Sequence, residues 1–241
     1  MTTLDTRGPA ARARGRLRFP SPLYAIVDVD ATRPRTCREL AAAILAGGCR
    51  VLQLRMKNRP TRDVLDVARA LGALAATTDA LFIVNDRLDV ALAIGADGVH
   101  LGADDMPIAA ARRLAATDLI IGYSTHTLAE AHVARAAGAD YLCFGPIFPT
   151  ATKPPAHAPW GIDGLRDVCA AVPLPIVAIG GMTEATAAAA CGVGAAAVAM
   201  ISELARAEDV ATTVARLLVG LGRPAAQSIS PASPKPSSSA V

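Results

Sequence analysis

Two aspartates at the ends of apolar runs carry the clearest chemistry in this chain: Asp86 closes LFIVND and Asp105 follows GVHLG. If the two runs are neighbouring strands, both carboxylates face one point beyond the strand ends. Magnesium takes oxygen ligands, retains several waters and is usually held by one or two carboxylates together with substrate phosphates. The pair therefore predicts a magnesium site. Either acid taken alone reads equally well as a helix cap or an Asx turn, and that reading is preferred for the adjacent Asp104. Asn85, immediately before Asp86, has an amide able to position the carboxylate and to bond a ligand.

Arg55 and Lys57 are separated by one residue in VLQLRMK, so on an extended strand they point to one side, and Gln53 shares their parity. Cations beside a magnesium site suit the departure of a diphosphate, because they stabilise the negative charge that develops on it. The alternative is an ion pair with an acid inside the fold. Further along, Thr150, Thr152 and Lys153 sit in the loop PTATKPP (149–155), which either closes over a phosphate or is a Pro-rich surface turn with a solvated lysine. Gly180-Gly181 and Ile201-Ser202 end two more apolar runs, where backbone amides suit a phosphate. Ser124-Thr125-His126-Thr127 opens a helix, so capping explains at least one hydroxyl, and no acid is spaced to complete a nucleophilic triad. His100 lies within an apolar run, as a hydrogen-bonded core histidine would.

These residues need a scaffold that gathers strand ends on one rim. Gly47-Gly48-Cys49 leads into VLQL, Gly95-Ala96-Asp97 into GVHLG, Gly138-Ala139-Asp140 into YLCFG and Gly194-Ala195-Ala196 into AVAM. Each phrase is the end of an Ala-rich helix, a glycine stop and a buried strand. YAIVD (24–28), LFIVND (81–86), LIIGYS (119–124) and PIVAIGG (175–181) supply the strands between them. Eight apolar runs alternating with helices predict an α/β fold, the (β/α)8 TIM barrel, whose chemistry lies at the carboxyl ends of the strands.

With 241 residues, 52% of them hydrophobic, and a mean hydropathy of +0.37, the chain is sufficient for one such barrel, read here as residues 19–221. The net charge of +3 is owed largely to Arg7, Arg12, Arg14, Arg16 and Arg18, within a basic tail over 1–18, and does not point to nucleic acid. That tail lacks the apolar stretch of a secretory signal. Residues 222–241 are rich in Pro, Ser and Ala and read as a second, disordered tail. No apolar run approaches the ~20 residues that cross a bilayer, so no membrane association is expected. Five scattered cysteines without zinc or disulfide spacing suit a reduced, cytoplasmic protein. The partners expected are small molecules; a monomer and a homodimer are equally compatible with the sequence.

In order along the chain, QLRMK (53–57), NDRLDVALAIGADGVHLGADDMP (85–107), GYSTHT (122–127), GPIFPTATKP (145–154) and AIGGM (178–182) resemble thiamine-phosphate synthases. The likeness covers about Tyr24 to Ser202. It implies a Mg2+-dependent transfer of an aminopyrimidine methyl group from its diphosphate to the ring nitrogen of a thiazole phosphate, plain or carboxylated. The products are thiamine monophosphate and diphosphate. Diphosphate leaves first, and the thiazole captures the resulting pyrimidine methyl cation. The resemblance places one Mg2+ per subunit on Asp86 and Asp105. It places the pyrimidine diphosphate on the run Gln53, Leu54, Arg55, Met56 and Lys57 and on Asn85, Ser124 and Lys153. Arg55, Lys57, Ser124 and Lys153 are its catalytic set, and Thr150, Ala151, Thr152, Gly181, Ile201 and Ser202 bind the thiazole phosphate. Met56 stands where the family usually has Glu, and Pro154 to Trp160 is richer in Pro and Ala than is usual. Three other readings compete: a thiazole tautomerase-like relative, a Schiff-base aldolase using Lys57 or Lys153, and a non-catalytic phosphate-ligand sensor.

Overall fold

Eight parallel strands, each on one of the apolar runs, hydrogen-bond in chain order and close on themselves, β1 pairing with both β2 and β8. They are β1 (Leu23–Asp28), β2 (Val51–Arg55), β3 (Leu81–Asn85), β4 (Gly98–Leu101), β5 (Ile120–Thr125), β6 (Tyr141–Phe144), β7 (Ile176–Ala178) and β8 (Ala197–Met200). Helices α1 (Cys37–Ala46), α2 (Thr61–Ala76), α3 (Leu88–Ile94), α4 (Ile108–Leu114), α5 (Leu128–Ala136), α6 (Gly161–Ala171), α7 (Glu184–Gly192) and α8 (Ser202–Arg206) follow the strands, and α9 (Val210–Leu221) ends the barrel. This is the expected (β/α)8 barrel. The computed structural model describes residues 17–115, 118–150 and 158–222. The two predicted tails lie almost wholly outside that range.

Strand alternation divides the core into two layers. Leu23, Ala25, Val27, Leu52, Leu54, Phe82 and Val84 face outward and pack with helix residues such as Leu40, Ile44, Val64 and Leu71. Tyr24, Ile26, Val51, Leu81, Ile83, Tyr141, Cys143, Val177, Ala197 and Ala199 fill the barrel interior with no helix residue among them. Most positions on both faces of the strands are thus apolar, which is why the strands read as nearly continuous runs. Phe19, placed in the barrel domain by sequence, is buried and meets both interior tyrosines edge-on, with centroids 5.9 Å from Tyr24 and 5.2 Å from Tyr141.

Local sequence sets the helix ends. Thr36 and Glu39 form a reciprocal capping box at α1, and Thr127 accepts from the Glu130 backbone N–H at α5. Gly95 ends α3 in the left-handed conformation, as expected. In the Gly47-Gly48 pair the second glycine takes the positive φ, +99°, while Gly47 stays right-handed at φ −69°.

Candidate active site

The parity that fills the barrel interior continues upward to its carboxyl rim. On β2 the interior set is Val51, Gln53 and Arg55; on β3 it ends at Asn85, on β4 at His100 and on β5 at Ser124. Register places Asp28 beside Arg55 and Asn85 beside His100. Gln53 and His100 are buried, whereas Arg55, Asn85 and Ser124 are partly exposed at the rim.

Arg55 forms an ion pair with the buried Asp28, whose other oxygen accepts the Asp30 N–H at 3.0 Å. The interior ion pair weighed against a functional role is therefore present, at the site itself, and it aims the guanidinium. Lys57 lies just beyond the end of β2, not on the strand as its spacing predicts, and its Nζ stands 2.9 Å from Asp86 Oδ2. Asp86 follows β3 with φ +63°, and its N–H donates to the His100 carbonyl at 2.7 Å, so its carboxylate is set by a left-handed turn. Asp105 Oδ2 accepts the N–H of Gly102, three residues earlier, at 2.7 Å, a local bond but not an Asx turn, in which the side chain accepts from two residues further on. Burial pushes the Asp105 carboxyl up from its ordinary range, the Gly102 bond works against that, and the neighbouring Asp86 carboxylate raises it further. The two carboxylates are thus side by side. The helix after Asp104 and Asp105 begins behind Pro107 without a side-chain cap, so neither acid caps it.

This donor set fits magnesium. Two adjacent acids, one of them raised by burial and then by its neighbour, suit a cation between them. Among the described residues no cluster of three or more His, Cys, Asp or Glu side chains gathers as a transition-metal site would require. A hard cation that keeps waters and shares phosphate oxygens needs only the pair.

On the opposite arc, Gly180 and Gly181 have φ +93° and +64°. The segment after β6 runs against them, with Ile147 N–H donating to the Ile179 carbonyl and Phe148 N–H to the Gly180 carbonyl, both at 3.0 Å. A Cβ on Gly181 would fall 2.6 Å from both Phe148 Cβ and the Pro149 carbonyl, so only glycine fits. Thr150 follows Pro149, whose carbonyl lies against Gly181, and Ile201 and Ser202 follow β8 at the start of α8. Ala151, Thr152 and Lys153 lie outside the described residues.

Two expectations need correction. Leu54 is buried in the outer layer against the helices, and Met56 packs on the same layer, so neither side chain faces the site and any contact from them is by backbone. Three participants escaped sequence reasoning. Asp28 was visible only as a polar strand end; Tyr24 and Tyr141 looked like ordinary core. Gln53 Nε2 donates to Tyr24 Oη at 3.0 Å, Tyr24 and Tyr141 hydroxyls are 2.7 Å apart, Tyr141 Oη lies 3.0 Å from His100 Nδ1, and His100 Nε2 lies 2.9 Å from Ser124 Oγ. Burial lowers the His100 pKa to about 4, so the ring is neutral near pH 7. His100 is the hydrogen-bonded core histidine expected, but it also touches a rim residue. His126 bonds the Gly145 carbonyl at 2.7 Å and Thr127 is the helix cap.

A closed barrel with its polar residues gathered on the carboxyl rim, among them paired carboxylates, a lysine and a tethered arginine, belongs to the class of (β/α)8 enzymes. More narrowly, the chain belongs to the thiamine monophosphate synthase family, whose pattern it matches over residues 23–204. It is 48% identical over 199 residues to the thiamine-phosphate synthase of Chloroflexus aurantiacus, covering 83% of this chain and 91% of that one. With the Methanoculleus marisnigri thiamine-phosphate synthase it shares 47% identity, covering 81% and 92%. The solved thiamine phosphate pyrophosphorylase from Pyrococcus furiosus superposes with a TM-score of 0.75 at 41% identity, covering 83% of this chain and 94% of that one. 3-Hexulose-6-phosphate synthase, at 20% identity and a TM-score of 0.65, shares the barrel alone. The chain is accordingly an enzyme, a transferase of thiamine biosynthesis. No described helix is long and apolar enough to cross a membrane.

Proposed function

We propose that this enzyme joins the aminopyrimidine methyl diphosphate to the thiazole phosphate, giving thiamine monophosphate and diphosphate, with one Mg2+ held by Asp86 and Asp105. The observation that carries the proposal is the convergence of the Asp86 and Asp105 carboxylates with Lys57, 2.9 Å from Asp86, just past Arg55 at the end of β2. When bound there, the cation would neutralise charge on the diphosphate and so promote its departure.

The protein's own part is electrostatic. Arg55, held by Asp28, and Lys57, held by Asp86, present fixed positive charge to the leaving oxygens without reorganising during the reaction. Asn85 and Gln53 line the same side and orient the pyrimidine, and Ser124 faces them across the rim. Lys153 completes the diphosphate contacts in this reading. Thr150, Ala151, Thr152, Gly181, Ile201 and Ser202 cradle the thiazole phosphate, so that its nitrogen captures the pyrimidine methyl cation once diphosphate has left; alignment of two substrates replaces a protein nucleophile. A Schiff-base lysine must be neutral and desolvated, whereas Lys57 is paired with a carboxylate. All five cysteines are unpaired, which suits a reducing cytoplasm.

The test is diphosphate release from the two substrates with and without magnesium, in wild type and Asp86→Ala. Product forming only with metal and collapsing in the variant supports the reading. Binding of thiazole phosphate without diphosphate release would favour the tautomerase or sensor alternatives.

A further inference from the structure

Gln53 on β2 and Ser124 on β5 face each other across the barrel, and a single file of buried groups joins them: Gln53, Tyr24, Tyr141, His100, Ser124. Each tyrosine contributes one proton to this file, and no buried side-chain nitrogen or oxygen among the described residues lacks a partner. With Gln53 Nε2 as the donor at one end, that count fixes the direction of every other bond. Gln53 Nε2 donates to Tyr24. Tyr24 has then only Tyr141 left to receive its proton. Tyr141, already accepting from Tyr24, has only His100 Nδ1 as an outlet. A His100 Nδ1 that accepts must carry its proton on Nε2, and Nε2–H donates to Ser124 Oγ. With Gln53 donating, reversing any single link leaves either a hydroxyl proton without a partner in an apolar interior or the neutral His100 ring without its proton.

We propose that Tyr24, Tyr141 and His100 are positioning residues: the relay holds His100 as its Nε2–H tautomer and so makes Ser124 an acceptor on its inner side, freeing the serine proton to donate outward to the substrate. The surroundings are shaped for this. Gly122 lies opposite Tyr141 in the β5–β6 register, and a Cβ there would stand 2.3 Å from the tyrosine hydroxyl. Phe19 covers both tyrosine rings from the amino-terminal side and keeps water from offering alternative partners. The consequence for Ser124 rests on the synthase reading above; the direction of the bonds does not.

The test uses the full chain labelled with 15N-histidine. Nitrogen NMR identifies the tautomer, and His100 is assigned by the signals that His100→Asn removes. Wild type is expected as Nε2–H. Ser124→Ala leaves that tautomer in place, because it is imposed from the Gln53 end, whereas Tyr141→Phe removes the imposing proton and yields a mixture. In turnover, Tyr141→Phe lowers kcat about tenfold with little change in KM, the size of one lost hydrogen bond, and has no further effect in the Ser124→Ala background. Should Tyr141→Phe not fold, the wild-type tautomer decides the bond directions by itself, and Tyr24→Phe is expected to keep Nε2–H, because the Tyr141 proton still has only His100 as an outlet. An Nδ1–H ring in wild type, a tautomer indifferent to Tyr141→Phe, or losses that simply add would overturn the relay. If no synthase activity exists at all, the NMR arm still decides the bond directions, and only the function falls.

Discussion

Lys57 Nζ lies 2.9 Å from Asp86 Oδ2, and Asp86 holds that position through a φ of +63°, rare for any residue but glycine. The strain at one carboxylate thus serves an ion pair at the rim, beside a second carboxylate, Asp105.

Asparagine tolerates the left-handed region and can still accept from a lysine, so Asp86→Asn separates charge from shape. The variant is expected to unfold within about 0.5 kcal/mol of wild type. Its diphosphate release with saturating magnesium falls about a hundredfold, the scale of a lost electrostatic contact at a reacting centre. Equal activity in the two proteins would remove Asp86 from the metal site.

Asp28 was not a site residue by sequence, yet it is the partner that aims Arg55. Asp28→Asn should lower kcat/KM about tenfold through a loosened guanidinium, and in a double-mutant cycle with Arg55→Ala the losses should not add. Independent, additive effects would reduce the pair to a structural one.

Gly122→Ala places a Cβ 2.0 Å from Tyr141 Cζ. Overpacking of this kind costs about 1–3 kcal/mol. Gly161, at φ +68° with nothing within 4 Å of an added Cβ, pays only for backbone strain, about 1 kcal/mol. Urea unfolding of both alanine variants should show the larger loss at Gly122, together with reduced activity there alone.

Burial raises the Cys143 and Cys169 thiols to about 12 and Cys191 to about 11, and pushes Cys49 upward as well. A raised thiol pKa lowers the reactive thiolate fraction at a given pH, to about one part in ten thousand at pH 8 for a pKa near 12. Mass spectrometry after iodoacetamide at pH 8 should find half-buried Cys37 modified first and Cys49 and Cys143 protected, with all five modified in urea. Prompt alkylation of Cys143 in the folded protein would contradict its place in the barrel interior.

Strand and helix alternation, the rim on which polar residues meet, the pairing of Asp86 with Asp105 and the shared parity of Gln53 and Arg55 were all legible in the sequence. Those features depend on periods of two and 3.6 residues, glycine stops and one known architecture, all short-range or repeated patterns. Lys57 left its predicted strand because β2 ends at Arg55, and strand ends are weakly marked in an apolar run. Leu54 and Met56 followed the alternation to the outer layer even though they sit inside a site motif. Barrel closure alone decided that Tyr24 would meet Tyr141, that Asp28 would hold Arg55, and that Gln53 would reach Ser124 through three buried side chains. Such contacts join residues far apart in the chain. Their distances follow from register, shear and packing around the whole ring, which no local pattern of residues encodes.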